Sequence, residues 1–370
     1  ARIPGLPSIY TIFSIPPVVE FIDPNSLDHH SEATINLIEK IEDFLKGRDI
    51  NEILAETKKN LEELWEKLKS GLHSEWSINE VDGNLYLRII FHGHRAWIKF
   101  KTQEIFHELR ENKELMNGDE RFIQTTLTTK KIHPNDIALL LCASNLYKAD
   151  FGALEKQLED ILRFSTYDTS LQKEALLLRC FSNYILAKDI TNSIEIIIKL
   201  SNDHEDDPRI FRLLGRLYES QGKGSESTTD LRYSLNYAKQ AYELVERNSE
   251  FKVECFNNYA YVLALSYRNK LEGVSINDLQ NALNELEKSS GSVNWTTGFP
   301  IEIWHTLGLL GYLFAKNNPN LTKEARISLW QIALENLEKA YAQYPNDEEY
   351  KPDYYEAERE LKKLKKVHSK

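Results

Sequence analysis

The chain has 370 residues, 41% of them hydrophobic and 28% charged, with a formal net charge of -11. That composition supports a folded core and excludes wholesale disorder, and the acidic balance argues against a nucleic-acid or anionic-membrane surface. Cys142, Cys180 and Cys255 are far apart and form no CxxC pair, so neither a zinc ribbon nor a disulfide framework is indicated, and a reducing, cytoplasmic setting is expected.

Residues 1–30 alternate short apolar runs with Pro4, Pro7, Pro16 and Pro17, a Pro-rich extended segment that cannot form a signal-peptide helix. No apolar run reaches the roughly 18 residues a membrane span needs. The start on Ala1 rather than Met leads us to expect a processed chain or a piece of a longer one. A small α+β domain is expected over 31–132. It opens with a helical hairpin. Ile35, Leu37, Ile38, Ile41 and Leu45 recur at helical spacing up to Gly47, and Asp49 with Glu52 caps a second helix that ends at Gly71. The period then falls to two in SEWSINEV, NLYLRIIF and RAWIKFK, separated by Asp82-Gly83 and by His92-Gly93-His94. This predicts a small antiparallel β-meander over about 74–101. A helix near 103–115 and a polar loop through MNGDERF complete the domain.

From 133 to 370 the pattern is helical throughout, with predicted helices at 135–147, 151–164, 168–187, 191–202, 208–221, 229–247, 251–269, 276–289, 300–316, 322–343 and 352–367. A packing signature recurs within them: Phe211-x2-Leu214-Gly215-x2-Tyr218, Phe256-x2-Tyr259-Ala260-x2-Leu263, and Trp304-x2-Leu307-Gly308 with its tyrosine one place late at Tyr312. Each is followed by a second helix with small residues in register: Ser234/Ala238/Ala241, Ser275/Ala282 and Ala333/Ala340, the last leading to Pro345. Small residues at a crossing let two backbones approach, and the flanking aromatic and leucine side chains fill the grooves beside it.

These residues resemble the tetratricopeptide repeat family over about 208–345, with two weaker hairpins over 135–202. First-helix aromatics stand 45 (211 to 256) and 48 (256 to 304) residues apart, against about 34 in the usual repeat, so the repeats are long and irregular. The fold class implied is mainly α: a tetratricopeptide-like α-solenoid of stacked helical hairpins, preceded by the N-terminal hairpin and meander and closed by a charged C-terminal capping helix.

The resemblance implies that first helices line a concave groove for a protein or peptide partner. The partner-binding residues expected there are Arg209, Arg212, Arg216, Asn257, Asn258, Tyr261, His305 and Tyr312. The arginine stripe suits a carboxylate or acidic segment. The third hairpin offers Glu302 and Thr306 where cations would continue it.

No nucleophile elbow, phosphate loop, nucleotide fingerprint or Gly-framed carboxylate pair is present, so no catalytic residue, metal or cofactor is expected. His73, His92 and His94 surround hairpin turns without carboxylates at ligand spacing. The acidic run NDHEDDP at 202–208 lacks the glycine and terminal Glu of a cation loop and is expected to supply acceptors to the helix that starts at Pro208. A non-enzymatic interaction module is the expected function. The alternative is a sensor or regulatory arm of a larger signalling or defence protein whose catalytic domain lies outside this chain.

Overall fold

A computed structural model describes residues 74–366 apart from 92–93, 118–119, 165–167, 226, 247–248, 294, 296–299 and 344–349. The Pro-rich segment, the N-terminal helical hairpin, His73 and His92 lie outside the described residues. Those described fall within one compact unit, Ser74–Tyr344 with Tyr350–Lys370.

The predicted meander is present as β1 (Ser74–Val81), β2 (Asn84–Phe91) and β3 (His94–Ile98), antiparallel in the order β1-β2-β3. Ile78 faces Leu87 and Leu87 faces Ile98 across the strands, while Ser77 faces Arg88 and Arg88 faces Trp97. The period-two alternation therefore gives the sheet one apolar face (Ile78, Leu87, Ile89, Ala96, Ile98) and one polar-aromatic face (Asn79, Tyr86, Arg88, Arg95, Trp97). Leu87, Ile89 and Arg88 are each 0% exposed: both faces are covered.

Thirteen α-helices follow among the described residues: α1 (Glu104–Glu111), α2 (Glu120–Thr129), α3 (Pro134–Tyr147), α4 (Phe151–Phe164), α5 (Thr169–Ile185), α6 (Ile190–Asp203), α7 (Pro208–Ser225), α8 (Thr228–Leu244), α9 (Glu250–Arg268), α10 (Ile276–Gly291), α11 (Ile301–Asn317), α12 (Lys323–Gln343) and α13 (Tyr350–Lys366), with a 3-10 turn at Lys113–Met116. The polar loop expected through MNGDERF is shorter than predicted. α2 begins at Glu120, and its buried side chains are Ile123 and Leu127. One i,i+4 apolar pair in a Thr-rich run is too weak a helical signal to read locally.

Local chemistry sets the other boundaries. Side-chain oxygens of Asp168, Ser227, Ser249 and Ser275 accept the backbone N–H three residues on, starting α5, α8, α9 and α10. Asp207 accepts the N–H two residues on, that of Arg209, at 3.1 Å at the start of α7, which is the role expected of the acidic run.

From α3 onward each helix packs on the next in sequence, and α3, α5, α7, α9, α11 and α13 each also touch the next of that set. The odd-numbered helices thus form a contiguous layer. Close small-residue crossings are present at Gly215 and Gly308, whereas Ser275, expected at a third, is instead the exposed N-cap of α10. A Cβ added at Gly215 would stand 3.2 Å from the Ala238 N and 3.3 Å from its Cβ, and the Ser234 hydroxyl donates to the Gly215 carbonyl at 2.7 Å. Ala260, Ala282 and Ala333 are all buried. No helix among the described residues is long and apolar enough to cross a membrane.

Candidate functional site

The polar face of the sheet lies against the odd-numbered helices, and α3 and α5 also touch the strands directly. The residues expected to line an open groove are therefore largely engaged by the chain itself.

Arg209, at the start of α7, uses all five of its guanidinium donors. Two go to Glu174 on α5 (2.7 and 2.8 Å), two to Asp207 (2.6 and 2.9 Å) and one to the backbone oxygen of Trp97 in β3 (2.9 Å). One turn on, Arg212 donates to the Arg95 backbone oxygen at 3.0 Å. Glu174 also accepts the backbone N–H of Lys99 at 3.1 Å. β3 is an edge strand, whose outer backbone groups would otherwise lack partners. Side chains of α7 take two of them, the Arg95 and Trp97 carbonyls, and Glu174 of α5 takes the N–H of Lys99, one residue past the strand.

Deeper in, Glu254 on α9 receives Arg88 at 3.1 Å, Arg95 at 3.0 Å and the Trp97 indole N–H at 3.0 Å, and lies 3.7 Å from Arg212. Glu250, one turn earlier, closes on Arg88 and accepts from Asn79. Glu302 on α11 pairs with Arg95 at 3.1 Å. The acid that interrupts the cation stripe in the third hairpin is thus the counter-charge of the sheet. Buried charges at this density are tolerated only because each has an opposite charge close by.

The remaining expected groove residues are buried except Arg216, which is half-buried. Arg216 lies beside Glu219, 3.5 Å away. Asn257 and Asn258 are 5% and 0% exposed, and the Asn258 Nδ2 lies 3.1 Å from where a Gly215 Cβ would be. Tyr261 and His305 pack together with ring centroids 5.6 Å apart, and His305 Nε2 meets the Asp353 carboxylate of α13 at 3.0 Å. Tyr312 donates to Glu356 at 2.6 Å, also on α13. The structure does not bring the eight residues into one open groove. It divides them between a sheet-facing set, Arg209 and Arg212, and an α13-facing set, His305 and Tyr312. Acids missed by sequence reasoning, Glu174, Glu250 and Glu254, complete the first. Their signal was a charge at an otherwise apolar helix position.

Electrostatics follow from that packing. Burial alone would raise the Asp207 carboxyl. Arg209, by charge and hydrogen bond, and Lys173 at 3.0 Å more than offset it and hold the group well below the usual carboxylate range. A depressed folded-state value contributes stability that is fully present above the unfolded value of about 3.9 and is lost as pH falls through the folded one. The Asp207→Asn variant is expected to lose about 2 kcal/mol at neutral pH. Its deficit relative to wild type should stay constant down to about pH 5 and shrink below about pH 4, as read by urea titrations across that range.

Among the described residues no group of three or more His, Cys, Asp or Glu side chains is placed to hold a metal. The three thiols are buried, and burial pushes each up to about 12. A scan against protein-family models, a search of curated proteins and a search of solved structures each returned no match.

Proposed function

We propose that the chain is a non-catalytic binding module, a tetratricopeptide-like α-solenoid that engages a partner's extended segment along its layer of odd-numbered helices. One observation carries this reading. That layer already grips an extended segment by its backbone: Glu174, Arg209 and Arg212 hold the Lys99 N–H and the Trp97 and Arg95 carbonyls. Hydrogen bonds to the main chain give affinity independent of sequence, and side-chain pockets beside them add selectivity. The occupant seen is the chain's own β3, so the partner surface is the strip of the layer beside that strand, where Tyr184 stands half-buried on α5.

The test is site-specific photo-crosslinking in cells. A crosslinker replacing Tyr184 should capture a discrete partner band. One replacing Glu243, exposed on the even-numbered helix α8, should capture none. Capture from α8 with none from α5 would remove the assignment to this layer.

A further inference from the structure

The rest of the chain treats the two edges of the sheet differently. Asp82 and Gly83, at φ 49° and 79°, make the two-residue turn between β1 and β2. Such a turn is closed by a pair that exchanges both backbone hydrogen bonds, here Val81 and Asn84. Bonded and non-bonded pairs then alternate along the register. Ser77 and Asn79 bond to β2, while Trp76, Ile78 and Glu80 turn their N–H and C=O outward. Carried across to β3, the same alternation turns Arg95, Trp97 and, just past the strand, Lys99 outward. These are the groups that Arg212, Arg209 and Glu174 hold, so the β3 edge is closed.

The β1 edge has no such cover. No hydrogen bond among the described residues takes the outward groups of Trp76, Ile78 or Glu80. A row of unpaired main-chain groups is a template for another strand. Two further features say which kind. Glu75 and Glu80 are exposed and enter no ion pair among the described residues, and β1 carries no cation. Beside Ile78–Val81 a cleft with about 770 Å³ of empty space, mouth included, opens toward the start of α9 and the end of α10. Val81, Trp97, Phe251 and Val293 give it an apolar lining. Cross-strand neighbours share a face, so a residue laid beside Asn79 points to the face on which that cleft lies.

We propose that β1 accepts an extended cationic segment of another protein as a fourth strand, with Lys or Arg beside Glu75 and Glu80 and an apolar side chain in the cleft. Main-chain bonds to Trp76, Ile78 and Glu80 supply the affinity, and the two carboxylates and the cleft supply the selectivity. A second copy of this chain is the disfavoured occupant. Its β1 brings the same two carboxylates, on a chain of net charge -11, and like charges brought together across a strand pair repel. The surface is the edge of the sheet away from β3 and does not rest on the partner reading above.

The experiment is fluorescence-anisotropy titration of the full chain into a labelled peptide, acetyl-Thr-Lys-Val-Val-Thr-Val-Lys-Thr-amide, whose lysines are spaced as Glu75 and Glu80 are. Saturable binding is expected, at least tenfold tighter than for the same peptide with Glu in place of both lysines. A strand added at an edge uses every second amide. N-methylating one alternate set of three amides should therefore abolish binding, and methylating the other set should leave it within about threefold. Ile78→Pro removes an outward N–H and no ladder bond and should weaken binding at least tenfold. The double variant Glu75→Lys with Glu80→Lys changes exposed side chains alone and should prefer the glutamate peptide, with the circular dichroism melt of a folded chain. In the free chain the amides of Trp76, Ile78 and Glu80 should exchange fast, and bound peptide should slow them. Absence of saturable binding, loss with both methylated peptides or with neither, or an unchanged preference in the double variant overturns the proposal. Slow exchange at those three amides in the free chain, including slowing that grows with chain concentration as a second copy pairs, also overturns it. None of these results alters the crosslinking expected at Tyr184, so the two readings fail separately.

Discussion

Replacing Gly308 by alanine is expected to destabilise the protein by about 2–3 kcal/mol despite the roughly 1 kcal/mol by which alanine favours a helix over glycine. The added methyl would sit 2.6 Å from the Leu337 Cγ, 2.9 Å from the Ala333 carbonyl oxygen and 2.9 Å from the Leu337 backbone nitrogen. Two of those three neighbours are backbone of α12, which cannot rotate away, so α11 and α12 must separate. Both helices belong to one buried apolar cluster, with Leu307, Leu310, Tyr312, Trp330 and Leu337 among its members, and separation loosens their packing. Gly311, one turn on, is the internal control. Its added methyl would meet the Ala333 Cβ at 3.2 Å and nothing else closer than 3.8 Å, so Gly311→Ala should stay within about 1 kcal/mol of wild type. Denaturant titration of both variants checks the contrast, and equal effects would show that the crossing is not as close as described.

Glu254→Gln should cost more, about 3–5 kcal/mol, on the order of 10 °C in Tm. Glu254 is 3% exposed and is the shared counter-charge of Arg88, Arg95 and Arg212. Without it Arg88 keeps Glu250 and Arg95 keeps Glu302, but Arg212 is left with no carboxylate among the described ion pairs. The penalty is that of a buried charge without its partner, which greatly exceeds the worth of an exposed pair. Glu243→Gln, at an exposed i,i+4 pair with Lys239, should change stability by no more than about 0.5 kcal/mol. A fall of less than about 1 kcal/mol for Glu254→Gln would mean that water reaches this network and that the sheet is not closed onto α9.

The elements were legible wherever periodicity and punctuation agreed. Asp82-Gly83 marks the β1–β2 turn because both residues take positive φ, 49° and 79°, and α4 runs over the 151–164 predicted from its apolar stripe. Two small-residue crossings were legible, Gly215 with Ser234 and Gly308 with Ala333; Ser275, expected opposite Ala260, is instead the exposed N-cap of α10. What the sequence did not disclose is the destination of the sheet. Arg88 and Arg95 alternate with apolar residues as a solvated strand face would. Their partners Glu250, Glu254 and Glu302 lie more than 150 positions away, beyond any local pattern. The same blindness turned Arg209 and Arg212 into expected contacts for an outside partner. The chemistry anticipated for them, a guanidinium fork meeting carboxylate and carbonyl oxygens, is what they perform, on Glu174, Asp207 and β3.

Amide hydrogen exchange along β3 in the free chain tests most directly whether the helix layer holds the sheet. The Lys99 amide, one residue past β3 and donated to Glu174, and the adjacent amides of β3 should exchange as slowly as those in the middle of α9, and Glu174→Ala should release Lys99 selectively. Rapid exchange at Lys99 in the wild-type chain, while α9 stays protected, would mean that the strand is not gripped at all.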